Sequence, residues 1–268
     1  LAGLGPVLVS CASATRTSST SSTRVIDQLG ETQAEILRYA SLAPSGHNAQ
    51  PWQITVEAPS QWVLSLDPER LLPEVDPDNR EALLSLGHFI ENLALAAGSA
   101  GVETDVEVLA EGNKDREVVR IHLASGLPVE YPLRRLALRR TLRSGFASEN
   151  LTRSDLDDLL AYFAGTGTYF PRGTREASWL QEATVAAIKE QTWQDSAQQE
   201  LSNWVHLDRS RAERRQDGLT PETMEVSWFG RQFMYLFMDE DSVMKENFRE
   251  KGIETAEQQA GEGAGWIV

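Results

Sequence analysis

Apolar positions along the chain alternate between helical and extended spacing. Ile36, Leu37 and Ala40 share one helical face, Thr32 and Glu35 have the spacing of a capping box, and Pro44 blocks continuation. A helix is therefore predicted over residues 32–43. Extended runs at 53–57 and 62–66, separated by Pro59 and Ser60, predict two strands. Asp76-Pro77 marks a helix start, after which Leu83, Leu86, Ile90, Leu93, Ala94 and Ala97 recur at helical spacing until Gly101 ends the helix. Further strands are predicted at 105–109 and 118–123.

Around Leu133 the pattern restarts. A basic helix is expected to end in 139–146, and a second helix to begin at Thr152 with Asp155 as its capping partner. Residues 179–188 form an amphipathic helix whose apolar packing Trp193 and Trp204 extend. Residues 206–218 are densely charged, and 224–238 turn aromatic and apolar, as a lid would. The apolar run 264–268 reads as a strand cut in its first residues, which suggests an incomplete C-terminus.

With 268 residues, of which 41% are hydrophobic, the chain is long enough to bury a core. Forty acidic against 25 basic side chains give a net charge of −15, which repels nucleic-acid phosphates and anionic lipid and argues against nucleic-acid binding. After residue 30 no apolar run reaches the roughly 18 residues of a membrane-spanning helix. The first residues differ. Residues 1–9 are apolar and small, and Leu8-Val9-Ser10-Cys11 resembles a lipobox, so that Cys11 is expected to carry a lipid. The alternative is a lone thiol in a frayed tail. As the only cysteine, Cys11 forms no intramolecular disulfide. Residues 13–23 are rich in Ser and Thr and read as a tether, with the folded part starting near Arg24. These features predict an exported protein, periplasmic or a membrane-anchored lipoprotein, touching membrane only through Cys11.

Two constellations carry candidate chemistry. The loop Pro44-Ser45-Gly46-His47-Asn48-Ala49-Gln50-Pro51-Trp52 joins a helix to a strand and offers backbone amides, the side-chain amides of Asn48 and Gln50, and a flat indole. Those groups suit a heterocycle with a polar edge, although an ordinary capped turn has the same composition. The second constellation is Arg134, Arg135, Arg139, Arg140 and Arg143, crowded into an otherwise acidic protein with Thr141 among them. Guanidinium bonds phosphate bidentately, so a phosphate monoester fits. A solvated basic helix face pairing with acids is the alternative. No metal-ligand set is read from the sequence.

Pro44-Ser45-x-x-Asn48-x-Gln50-Pro51-Trp52 resembles the flavin loop of nitroreductases, and Arg139/Arg140-Thr141-x-Arg143-x-x-Phe146 resembles their phosphate motif. The segment Gly87-x-x-x-x-Asn92-Leu93-x-Leu95-Ala96-Ala97-x-x-x-Gly101 is similar to their interface helix. Ordinary nitroreductases carry the phosphate motif first and build each FMN site from two subunits. Here the order is reversed, and each stretch carries one motif, as in the Acg-like branch, where two diverged halves on one chain imitate the dimer.

The resemblance, covering most of residues 30–268, implies an α+β nitroreductase-like fold with antiparallel or mixed sheets flanked by helices and an internal pseudo-dimer. Its parts are 1–28 as signal remnant and tether, 29–130 as the first half, and 131–268 as a truncated second half with a lid-like segment at about 204–230. It further implies FMN as cofactor, with Ser45, Gly46, His47, Asn48 and Gln50 at the ring and ribityl and Arg139, Arg140, Thr141 and Arg143 at the phosphate. The implied activity moves electrons from NADPH or NADH to a small nitroaromatic or quinone-like acceptor, with no protein residue as catalytic acid or base. Two other readings stay open: a flavin-holding or sequestering protein without turnover, favoured if the segment from Trp204 to Phe229 closes over the ring, and an exported structural protein with a decayed site.

Overall fold

A computed structural model describes residues 7–10, 21–163 and 165–268. They divide into two units. The first comprises Leu1–Thr141 and Trp204–Thr220, the second Leu142–Asn203 and Pro221–Val268. Cys11 and most of the Ser/Thr-rich stretch lie outside the described residues.

The first unit is a five-stranded antiparallel sheet, in the order β1-β2-β3-β5-β4, with two long helices. Its strands are β1 (Val7–Ser10), β2 (Trp52–Ala58), β3 (Gln61–Leu66), β4 (Val102–Val108) and β5 (Glu117–Ser125); its helices are α1 (Ser21–Ala40), α2 (Arg80–Ser99), the short α3 (Arg134–Leu138) and, in the later segment, Arg209–Arg215. Registers such as Ile54↔Leu64 and Trp62↔Ile121 align the apolar positions across neighbouring strands. Ile36, Leu37 and Ala40 of α1 and Leu86, Phe89, Leu93, Ala96 and Ala97 of α2 are buried in one core with Trp52, Ile54, Trp62, Leu64 and Ile121. Each large side chain so buried contributes about 1.5–3 kcal/mol. The residues read as the end of an export signal include β1, which pairs Val7 with Val56 and Ser10 with Gln53 at the sheet edge.

Some boundaries differ from the pattern, for local reasons. The backbone of α1 leaves helical geometry at Gly30 (φ 75°, ψ 164°). Glu35 is held by Arg38 at 2.7 and 2.8 Å instead of folding back on Thr32. The expected basic helix is only the five residues of α3, and 139–152 carry neither helix nor strand. Trp204 does not extend the packing of the downstream amphipathic helix; it lies in the first unit, against Ala49 and Leu72.

In the second unit, the capping box of Thr152 and Asp155 opens the helix Arg153–Ala161 as the sequence predicts. The helix Arg175–Thr192 packs on Glu246–Ala260, with Lys189 paired to Glu257 at 2.5 Å. Buried Arg249 ties this pair to the chain around it: it bonds Asp195 at 2.7 Å and the Thr192 carbonyl at 2.9 Å, and lies over the Trp193 ring. The apolar run at the end of the chain forms β7 (Gly265–Ile267), antiparallel to β6 (Tyr169–Pro171). Residues 224–238 contain the helix Trp228–Phe237, which leaves Trp228, Phe229, Phe233, Leu236 and Phe237 exposed. Among the described residues no helix is long and apolar enough to cross a membrane.

Candidate functional site

The loop after α1 folds into a tight turn at Gly46–Asn48, and three of its non-glycine residues are left-handed: His47 (φ 47°) and Asn48 (φ 52°) in the turn, and Gln50 (φ 56°) just after it. Each such residue is costly, and together they persist only where neighbours over-determine the backbone. Part of that determination is local. Ser45 Oγ accepts from the Gln50 amide at 3.0 Å, and the Asn48 and Ala49 amides donate to the Ser45 and Gly46 carbonyls at 3.0 and 2.8 Å.

The rest comes from Trp204–Thr220, far along the chain but in the same unit. Gly218 N–H donates to the Asn48 carbonyl at 3.0 Å, while Asn48 Nδ2 donates back to the Gly218 carbonyl at 3.1 Å. Gln50 Nε2 donates to the Gln216 carbonyl at 2.8 Å. Gln50 is buried, and its Oε1 has no hydrogen-bond partner among the described residues.

This strap is itself pinned by a buried carboxylate. Asp217 accepts from His206 Nε2 at 3.0 Å, from Arg215 Nε and Nη2 at 2.9 and 3.1 Å, and from Arg70 Nη1 at 3.1 Å. Burial pushes the Asp217 carboxyl up, but the bonds from His206 and Arg215 and the charges of Arg215 and Arg70 outweigh it and hold it well below the usual carboxylate range. Arg70 also donates to the Ala49 carbonyl at 2.8 Å, so one guanidinium joins the carboxylate to the loop. Gly218 is left-handed (φ 74°), and a Cβ there would collide with the Trp204 carbonyl oxygen and the His206 ring.

Trp52 is not available to a ligand, in contrast to the expectation that its flat ring would serve a heterocycle. It is 1% exposed and tilts against Phe89, 5.3 Å between centroids. Its alternation in β2 sends it inward with Ile54.

The arginine-rich stretch has a different character. Arg134, Arg135, Arg139, Arg140 and Thr141 are exposed and belong to the first unit; the four guanidiniums form no hydrogen bond or ion pair among the described residues. Partial burial of the Arg139 guanidinium lowers its pKa, although the residue as a whole is exposed, and no carboxylate offsets the effect. The division into units falls inside the motif. Arg143 is half-buried in the second unit, where its amide donates to Glu225 at 3.0 Å and its Nε to the Thr223 carbonyl at 3.0 Å.

No family model matches the chain. Curated relatives do. The Mycobacterium tuberculosis protein named "Putative NAD(P)H nitroreductase Rv3131" is 26% identical over 177 residues, 65% of this chain and 51% of the relative. From the same species, "Putative NAD(P)H nitroreductase acg" is 36% identical over 89 residues, 33% of this chain and 25% of the relative. "Probable NAD(P)H nitroreductase PigM" of Serratia sp. is 26% identical over 147 residues, 52% of this chain and 41% of the relative. Over part of its length the chain is thus similar to proteins named NAD(P)H nitroreductases, the Acg protein among them. It spans about half the length of Rv3131.

Sequence reasoning missed Arg70, His206 and Asp217. The run 206–218 reads as densely charged, within a lid-like segment, and only Trp204, His206 and the Asp217-Gly218 pair hint at a stretch that folds inward.

Proposed function

We propose that the chain binds FMN and acts as an oxidoreductase, passing electrons from NADPH or NADH to a small nitroaromatic or quinone-like acceptor. The observation that carries the reading is Gln50 Oε1: a buried acceptor without a partner costs about 1–3 kcal/mol, and a ligand with an N–H at a heterocycle edge supplies the missing donor. The uracil-like edge of an isoalloxazine has that donor. Ser45, Gly46, His47 and Asn48 frame the same turn, and Asn48 keeps its Oδ1 free of any bond among the described residues. Arg139, Arg140 and Thr141 suit a phosphate monoester, since they are exposed and without acidic partners in a protein of net charge −15. Arg143 belongs to the same sequence motif, but its guanidinium bonds the Thr223 carbonyl within the second unit.

Bound flavin supplies the hydride acceptance and electron delivery; the protein's part is to hold the ring edge and the phosphate and to keep both in register. No acid or base from the chain is needed. The names of the relatives support a reduced nicotinamide as donor. The occurrence of one motif in each stretch supports descent from two diverged halves, and Leu8-Val9-Ser10-Cys11 supports lipid-anchored export.

Anaerobic mixing of the FMN-loaded protein with NADPH or NADH tests the activity. The reading predicts bleaching of the visible flavin band and its return on adding a nitroaromatic or quinone. A flavin reducible by dithionite but by neither nicotinamide contradicts the oxidoreductase reading and leaves a flavin-holding protein.

A further inference from the structure

We propose that Asp217 is a positioning residue for the nucleotide, acting through Arg70 and the flanking backbone of Gln216 and Gly218 to hold the left-handed turn His47–Gln50 in its binding geometry; this rests on the FMN reading above. Three observations on one unit converge on it. The turn contains three left-handed non-glycine residues, which cannot hold themselves. Arg70 bonds its backbone at the Ala49 carbonyl and Gly218 at the Asn48 carbonyl, and the two side-chain amides end on the carbonyls of Gly218 and Gln216. Asp217 sits between those two residues in sequence with its side chain 2% exposed, bonded to Arg70 on one side and to Arg215 and His206 on the other.

The consequence for binding follows from the amide geometry. Gln50 and Asn48 each donate through nitrogen to the strap, which fixes their carbonyl oxygens as the groups left for a ligand. A strap that slackens releases both amides to rotate, and the acceptor that a ring N–H needs is no longer presented. Asp217 touches no ligand in this scheme. It sets the direction of the side chains that do.

The test uses the full chain and two readouts. Asp217→Asn keeps size and one acceptor but removes the charge; Arg70→Gln removes the link to the Ala49 carbonyl, and Arg70→Lys keeps the cation. Leu93→Ala, in the core of α2, serves as a control that destabilises without touching the turn. Hydrogen exchange of the FMN-free protein reads the turn directly, and titration with FMN followed by flavin fluorescence reads binding.

In Asp217→Asn and Arg70→Gln, amides at 48–50 and 218 are expected to lose about tenfold or more of their protection while those of β3 keep theirs, and FMN affinity falls by about tenfold. Arg70→Lys restores most of it. Leu93→Ala lowers the melting temperature and leaves FMN affinity within about twofold. Unchanged exchange at 48–50 in Asp217→Asn overturns the clamp. Loss of protection with unchanged FMN affinity overturns the positioning role while sparing the FMN reading. A wild-type chain that takes up no FMN overturns the FMN reading itself, and the exchange data then report on the clamp alone.

Discussion

Asn48 and Gly218 exchange two hydrogen bonds across 170 residues of sequence, the Gly218 amide to the Asn48 carbonyl and the Asn48 side-chain amide back to the Gly218 carbonyl. Only a residue without a Cβ fits at 218, because its left-handed backbone lies against the Trp204 carbonyl and the His206 ring. Gly218→Ala is therefore expected to destabilise the protein by at least about 1–3 kcal/mol. Gly87→Ala, on an exposed turn of α2 with open space around it, is expected to stabilise by about 0.5–1 kcal/mol. Urea unfolding of both variants checks the opposite signs.

Asp217 makes stability depend on pH in a definite direction. Its folded pKa lies below the ordinary 3.8, so its bonds to His206, Arg215 and Arg70 contribute fully above that value and are lost as pH falls through it toward the folded pKa. Asp217→Asn is expected to lower stability at pH 7 and to flatten its decline as pH falls from about 5 through the ordinary 3.8 and below. An unaltered slope in the variant, measured by denaturant unfolding across that range, contradicts the assignment.

The exposed arginines predict a separation of binding from folding. Arg139→Ala combined with Arg140→Ala is expected to weaken FMN binding by about 1.5–3 kcal/mol per lost charge-assisted bond. The stability of the FMN-free protein should move by no more than about 0.5 kcal/mol, since neither guanidinium has a partner among the described residues. Arg143→Ala, by contrast, should lower stability through its lost bond to the Thr223 carbonyl. Paired titrations and melts distinguish the three.

Trp52 behaves as core. Trp52→Ala is expected to cost about 3–5 kcal/mol of stability. Trp52→Phe should retain the fold and leave the spectrum of bound flavin unchanged, because the indole is packed on Phe89. A shifted flavin band in Trp52→Phe would place the ring against a ligand after all.

Periodicity revealed the first unit well, because β2, β3 and α2 each bury one continuous apolar face whose spacing survives in the chain. The capping box at Thr152 and Asp155 was legible for the same local reason. What escaped was the choice of partner. Glu35 turns to Arg38 rather than to Thr32, a choice between two nearby partners that spacing alone does not decide. Asp217 lies in a run of charges whose composition suggests water, and only its three cationic and imidazole partners, one of them 147 residues away, make its burial tolerable. The loop's residue types pointed to amide chemistry, but which amide atoms face inward was set by the strap.

The most direct measurement is the visible absorption spectrum of the full chain after incubation with FMN and removal of free flavin by gel filtration. The account predicts a yellow protein with close to one FMN per chain and a flavin band perturbed from that of free FMN. A colourless protein, folded by circular dichroism and still unable to retain FMN, contradicts it.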